Sequence, residues 1–449
     1  MKIAVIYDFE NQANISREGI GVFAIHLLNA IMKYCPDTKL EFWTYSFNVD
    51  NVKLVFKDIF QNYSDRIEIF SNNYNFIRHK IMKTLINFKI LRNKIKYILF
   101  KKEKYKNKIN YLYSIKENEI FHDKMKKNLI KKIKKYSKAD VCYSLFVSLK
   151  LGKYFNCPKF VQVHDLFTIQ LFDLFKDDFG RETKLKQVNN KFLNNLQEYA
   201  EKDSIFISSS NYVAKNHSLK YIPNIKKNQV AVCPFPPMIK DFDDIEYIDK
   251  QAFKSKYGIG DLYMAYPSQN RSNKNWIVIL EAIKILRDKG INIQFATTGK
   301  ICGVKKTEEF IKNNNLKDLI VETGSLSVEE LYYLYKYSDL VVVSTVMEGM
   351  GISGQCLEAL KVGNIPVIHT KSIGIEESLK SVGLTLETAD LNWFDLDDSN
   401  KLANLIEEVL KDPKKHIEKQ KHILEAYTRI TWKDVANNYI NLFKGKLNN

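Results

Sequence analysis

Two carboxylates, two cations and an imidazole stand in this sequence where they could meet a phosphate and a sugar. Glu348 and Glu358 bracket a turn carrying Gly349 and Gly351. Ionised carboxylates accept hydrogen bonds, so the hydroxyls of a sugar or a ribose suit them. Arg271 and Lys274 lie three apart in Pro267-Ser268-Gln269-Asn270-Arg271-Ser272-Asn273-Lys274-Asn275. A guanidinium and an ammonium just ahead of a helix would gather an anion together with the helix's unpaired N–H groups. His164 opens His164-Asp165-Leu166 at the end of an apolar run. Gly19 and Gly21, in Glu18-Gly19-Ile20-Gly21, would let backbone approach a phosphate closely, although a plain tight turn uses the same spacing.

The elements that must position these groups follow from hydropathy. Leu340 to Val343 is a β-branched run suited to a buried parallel strand, and a helix through Cys356, Leu357, Ala359 and Leu360 follows the glycine turn. Gly363 and Asn364 stop that helix, and Ile365 to Ile368 is the next strand. An ordinary βαβ unit with surface glutamates has the same outline. Lys2 to Tyr7 reads as the first strand, with Leu40 to Tyr45 and Ile67 to Phe70 after it and Val52 to Phe60 helical between these two. Lys159 to Val163 ends at His164-Asp165, the carboxyl edge where open α/β sheets bind ligands; a lone histidine there also fits a structural role, and Asp165 a loop cap. Ser209-Ser210-Asn211 caps the helix that follows the strand Ser204 to Ser208. Asp241 to Gly260 is acidic and polar and reads as a linker. Leu262 to Tyr266 then opens a second βα series, in which Ser327-Val328-Glu329-Glu330 is a capping box.

The stretch from Ser338 to Thr370 resembles the donor-site signature of the retaining glycosyltransferases of the GT-B fold, group 1, the family 4-like enzymes. It departs in one respect: Glu348 and Glu358 are ten apart, where the family's glutamates are eight apart, and Ser353-Gly354-Gln355 replaces a common single proline. Glu358 keeps the usual Leu-Glu-Ala-Leu context. The resemblance implies Glu358 on the ribose hydroxyls and Glu348 on the sugar hydroxyls. It implies His164 reaching the transferred sugar, and Arg271, Lys274 and Asn275 on the diphosphate as an Arg-x-x-Lys-Asn match. Gly19, Gly21, Gly349 and Gly351 would offer backbone to the donor, with Ser325, in Gly324-Ser325-Leu326, beside the base. Thr431-Trp432-Lys433 resembles the start of the family's last helix. The implied architecture is α/β: two Rossmann-like doubly wound parallel-sheet domains facing across a cleft. They would span residues 1–240 on the acceptor side and 241–430 on the nucleotide-sugar side, with the helix at 431–449 packing back on the first. The family resembled needs no cofactor and no metal; a nucleotide-diphosphate sugar is the donor substrate.

The net charge of +17 is confined to one place. Residues 76–139 hold 21 lysines and arginines against four acids, which leaves 48 of each in the rest of the chain. Ile77, Ile81, Leu85, Phe88, Leu91, Ile95 and Leu99 recur at helical spacing between those bases, and a second helix is expected over Met125 to Tyr136. A basic amphipathic insertion suits an anionic membrane surface; a lysine-rich helical pair packed on the domain has the same pattern. The charge is nearly all lysine and no recognition motif accompanies it, which counts against nucleic acid as a partner. Cysteines at 35, 142, 157, 233, 302 and 356 form no Cys-x-x-Cys pair and suit a reducing compartment. The expected protein is a cytoplasmic hexosyltransferase, peripheral on the inner face of the cell membrane. It would serve envelope polysaccharide or glycoconjugate synthesis with a glycan, lipid-linked or protein acceptor. The competing readings are a non-catalytic partner of the same fold that binds a glycosylation enzyme, glycan or protein, and a phosphorylase or epimerase of that fold.

Overall fold

In a computed structural model, the apolar runs become twelve strands among the described residues, in two parallel sheets. The structure describes residues 1–9, 15, 19–72, 88, 91–95, 119–175, 182–302 and 304–447. The first sheet takes β1 (Lys2–Tyr7), β2 (Lys39–Thr44), β3 (Ile67–Ser71), β4 (Val141–Ser144), β5 (Lys159–Val163), β6 (Ile205–Ser208) and β7 (Val230–Val232) in the order 3-2-1-4-5-6-7. The second takes β8 (Tyr263–Ala265), β9 (Gln294–Thr297), β10 (Ile320–Glu322), β11 (Leu340–Val343) and β12 (Val367–His369) in the order 10-9-8-11-12. Both orders reverse direction once, which is the doubly wound α/β pattern. The registers run Ile3 beside Leu40 and Val141 in the first sheet, and Val341 beside Val367 and Ala265 in the second.

By contact the chain forms two compact units. One is 1–162 with 198–206 and 436–449; the other is 163–197 with 207–435. In the first, the C-terminal helix Trp432–Leu447 buries Tyr439 and Phe443, whose rings lie 5.9 Å and 5.7 Å from that of Tyr143. Tyr439 Oη also donates to Gln162 Oε1 at 2.7 Å. Asp8, at the end of β1, accepts from the N–H groups of Lys150 and Leu151 and so ties β1 to the loop after β4.

In the second unit the helix Trp276–Asp288 lays Trp276, Ile279, Leu280, Ile283 and Leu286 on the sheet. Each such side chain contributes about 1.5–3 kcal/mol when fully buried. Trp276 is fixed at two points, by Nε1 donating to Ser268 Oγ at 2.9 Å and by its ring 5.2 Å from that of Phe295. The start of this helix, and the turn before it, are thereby set.

Two sequence expectations need correction. The stretch Asp241 to Gly260 is not plain linker: it contains a helix, Lys250–Tyr257, capped by Asp249 and ended by Gly258 in the left-handed region. Its polarity hid one fully inward side chain, Phe253, which joins the core. The helix expected over Val52 to Phe60 is broken at Phe56 into Val49–Val55 and Lys57–Asn62. Most of the basic insertion, and the loop residues 10–14 and 16–18, lie outside the described residues. Within the insertion, residues 91–95 are helical, and Phe88, Leu91 and Ile95 are exposed. The helix Glu119–Tyr136 instead buries Met125, Leu129 and Ile133 along one face.

Candidate functional site

The residues singled out at the carboxyl ends of β8 and β11 come together. After β8 the chain makes a short 3-10 turn, Ser272–Lys274, and passes through Asn275 with φ +48° into the helix Trp276–Asp288. After β11 it runs through Ser344 to Glu348. These two loops are stitched by Ser344 Oγ donating to the Lys274 carbonyl at 2.6 Å and Val346 N donating to the Asn273 carbonyl at 2.8 Å. Held this way, Lys274 Nζ reaches Glu348 Oε1 at 2.5 Å, and Thr345 Oγ1 donates to the same oxygen at 2.8 Å. Burial acts to lower the affinity of Lys274 for its proton, but Glu348 beside it more than reverses this and holds the ammonium above its ordinary range. Arg271 is exposed at the mouth of the same turn, its N–H donating to the Gln269 carbonyl at 2.9 Å and its guanidinium making no hydrogen bond or ion pair among the described residues. Asn275 gives its side-chain amide to the Leu396 carbonyl at 2.8 Å.

The glycine turn is closely packed, and at Gly351 it leaves no room for a side chain. Gly351 has φ +80°, and a Cβ there would stand 2.3 Å from Ser378 Cβ. Its N–H closes a turn onto the Glu348 carbonyl at 2.9 Å and its carbonyl accepts from Ser372 Oγ at 3.0 Å. Gly349 is seated against the His164 carbonyl, which a Cβ would meet at 3.0 Å. The Gly349 carbonyl accepts from Ser209 Oγ at 3.3 Å and Ser210 Oγ at 3.2 Å. His164 thus meets the Glu348 loop through its backbone, while its ring lies 6.3 Å from that of Phe235. Asp165 Oδ1 accepts from Phe167 N, a loop cap, and its pKa is raised to about 6 by burial and by the nearby Glu348 carboxylate.

The glutamates differ in surroundings. The position eight after Glu348 is Cys356, which is fully buried. Ser353 caps the helix Gly354–Val362 by accepting from Cys356 N, so the two extra residues move the acid on to Glu358. Glu358 is 8% exposed. Tyr335 Oη donates to its Oε2 at 2.8 Å and Lys240 N to its Oε1 at 3.3 Å. Burial raises its pKa. Tyr335 and Lys240 carried no sequence signal, since neither stands in a motif.

Ser325 is exposed in the loop after β10, where Gly324 has φ +72°. Close by, Lys300, Ile301, Cys302, Glu308, Lys312 and Glu322 line part of a solvent-open hollow of about 470 Å³. Its loop abuts the turn just described, because Gly299 packs on the backbone of Ser268 to Asn270. In the first unit, Gly19 and Gly21 form the opening turn of the helix Gly19–Tyr34, and a Cβ on Gly21 would overlap the Ile15 carbonyl.

Residues 248–429 match the family model described as glycosyl transferases group 1. No curated protein sequence matches the chain. Among solved structures, the chain is similar to Anabaena HepE in complex with UDP and glucose, at 12% identity and a TM-score of 0.59, covering 99% of this chain and 100% of that one. It is also similar to a glycosyltransferase from Rickettsia africae, at 16% identity and a TM-score of 0.56, covering 100% and 99%. A third is the sucrose-phosphate synthase of Thermosynechococcus elongatus, at 15% identity and a TM-score of 0.58, covering 99% and 98%. At these identities the likeness is one of fold, and the fold is GT-B.

Proposed function

We propose that this chain, whose residues 248–429 match the group 1 glycosyl transferase model, is a glycosyltransferase that moves a hexose from a nucleoside-diphosphate sugar to a glycan or lipid-linked acceptor with retention at the sugar carbon. The observation that carries this reading is the meeting of Lys274 and Glu348 beside exposed Arg271, where the helix Trp276–Asp288 begins. As the sugar–oxygen bond breaks, negative charge gathers on the departing diphosphate, and fixed cations lower that barrier. In this reading Arg271 and Lys274 take that charge, and Glu348 holds sugar hydroxyls. The acceptor oxygen attacks from the face the diphosphate leaves, so no nucleophile of the protein is required. UDP-type donors are the first to try, since HepE binds UDP and glucose. In this reading Ser325 lies beside the base of the donor.

The basic insertion favours an acceptor held at a membrane. Phe88, Leu91 and Ile95 are exposed at helical spacing among lysines, whereas the apolar stripe of the helix Glu119–Tyr136 is buried. An anionic bilayer takes both the apolar face and the charge, at about 1 kcal/mol per base. No helix among the described residues is long and apolar enough to cross a membrane, so attachment of this kind would be peripheral. Co-sedimentation with phosphatidylglycerol vesicles, lost in F88S/L91S/I95S and absent with phosphatidylcholine, supports this; binding that ignores both changes refutes it.

A thermal-shift screen against UDP-, GDP- and dTDP-hexoses, followed by assay of nucleoside diphosphate release, tests the transferase reading. A stabilising donor whose turnover disappears in R271A and K274A is the expected result. The scaffold alternative has one observation in its favour, that both Glu358 oxygens are engaged within the protein. It is the outcome if no donor stabilises the chain and R271A/K274A leaves its biological role intact.

A further inference from the structure

The Glu348–Gly351 turn is fixed from two sides, and only one of them belongs to the anion site. On the first side Lys274 and Thr345 hold the Glu348 carboxylate. On the second, the Gly349 carbonyl receives the hydroxyls of Ser209 and Ser210, and Gly349 sits on the His164 carbonyl. We propose that Ser209 and Ser210 are positioning residues that latch this turn, and through it set the aim of Glu348 and its distance from His164 and Asp165.

The hydrogen-bond chemistry is that of a contact made to open and close. Ser209 has one proton and two acceptors for it, the Gly349 carbonyl at 3.3 Å and the His164 carbonyl at 3.0 Å. When Gly349 withdraws, the Ser209 hydroxyl still has His164, so no buried donor is stranded. Ser210 differs, since its half-buried hydroxyl proton would turn to water. Its oxygen caps a helix by accepting from Val213 N at 3.2 Å, and that bond survives release of Gly349. Glycine on the moving side completes the device. Gly349 and Gly351 lack side chains that would bar the approach, and Gly374, next along the same seam, lies flat against the Tyr212 ring. Tyr212 is steadied in turn by Gln170 Nε2 donating to its hydroxyl at 2.8 Å. The closed position brings Asp165 within electrostatic reach of Glu348, two carboxylates that repel one another. A turn that must hold such a pair needs a restraint independent of the charges, and the two serines supply it.

The latch itself is tested without any substrate, by amide hydrogen exchange of residues 348–352 in wild type and in S209A/S210A. Exchange at least tenfold faster in the variant is expected; unchanged exchange overturns the proposal. S210D separates latching from capping, since aspartate caps a helix well but cannot donate to a carbonyl. It should keep the wild-type urea midpoint and release the turn, while S210T, which keeps both functions, should match wild type. A second arm rests on the transferase reading: S209A/S210A should bind UDP with a Kd within threefold of wild type and lose about tenfold to a hundredfold in kcat, as misplacement by about 1 Å does. A wild-type protein that neither binds UDP nor turns over any donor defeats the transferase reading alone, and the exchange result still decides the latch. Wild-type kcat in S209A/S210A overturns the positioning role.

Discussion

Lys274 and Glu348 are bonded at 2.5 Å although they belong to different βα units, and hydrogen bonds to the Asn273 and Lys274 carbonyls from the other loop leave neither much freedom to part. The pair lies in partial shelter, with side-chain exposures of 16% and 21%, where its attraction is less screened than at an open surface. An incoming diphosphate must compete with Glu348 for the Lys274 ammonium. Glu348→Gln removes the competitor, so nucleoside diphosphate should bind at least as tightly as in wild type. Turnover should still fall about tenfold to a hundredfold, because a charged hydrogen bond to the sugar is lost. Lys274→Ala should lose both, with kcat down by about a hundredfold to a thousandfold. Calorimetry and steady-state rates on the two variants check the split; weaker binding in Glu348→Gln contradicts it.

Glu358 carries a different burden. Its carboxylate is buried, and its stability depends on the Tyr335 hydroxyl and the Lys240 N–H. Tyr335→Phe takes away one donor and should cost about 1–3 kcal/mol, read as a lower urea midpoint. Burial already raises the folded pKa of Glu358, and loss of the donor raises it further. The neutral acid depends less on that donor, so the deficit should be smaller at pH 5 than at pH 8. A deficit that is equal at both pH values would show that Glu358 is not the group affected.

Much of the fold can be read in the chain where one physical signal dominates. β1, β5 and β11 coincide with the apolar runs Lys2–Tyr7, Lys159–Val163 and Leu340–Val343, because strands covered on both faces leave little room for polar residues. The capping box at Ser327 and Glu330 forms as its spacing implies. The helix Lys250–Tyr257 went unread because only Phe253 and Lys254 of its eight residues are buried, although Asp249 and Gly258 mark both its ends. At the site, Arg271, Lys274, Glu348 and the glycines were legible as loops at strand ends. Their partners were not. Nothing local in the sequence ties Glu358 to Tyr335, or Gly349 to Ser209, since these bonds span 23 and 140 positions and depend on packing.

Asp8 gives the first unit a pH dependence of defined sign. Its pKa is raised from 3.8 to about 6, chiefly by burial against the N–H bonds from Lys150 and Leu151. Between about pH 4 and 6 the folded chain therefore keeps a proton that the unfolded chain has released. Stability falls as pH rises through that window, by about 3 kcal/mol in all. Asp8→Asn has no charge to bury and should lose this slope. Relative to wild type it should gain steadily in urea midpoint from pH 4 to pH 6.5, and a constant difference would exclude Asp8 as the source.

Gly351 tests whether the turn is held by shape as well as by charge. A Cβ there meets Ser378 Cβ at 2.3 Å and the Gly374 carbonyl at 3.0 Å, in a backbone of φ +80°. Gly258 has a similar φ, +68°, but open space around it. Gly258→Ala therefore isolates the conformational cost, about 1–2 kcal/mol, and should leave turnover alone. Gly351→Ala adds overlap worth about 1–3 kcal/mol more, and relieving it must displace the turn that carries Glu348. Its turnover should fall with its stability, in contrast to Gly258→Ala. Equal urea midpoints and equal rates for the two variants would mean that the seat of Gly351 against Ser378 yields freely and that Glu348 is aimed from the Lys274 side alone.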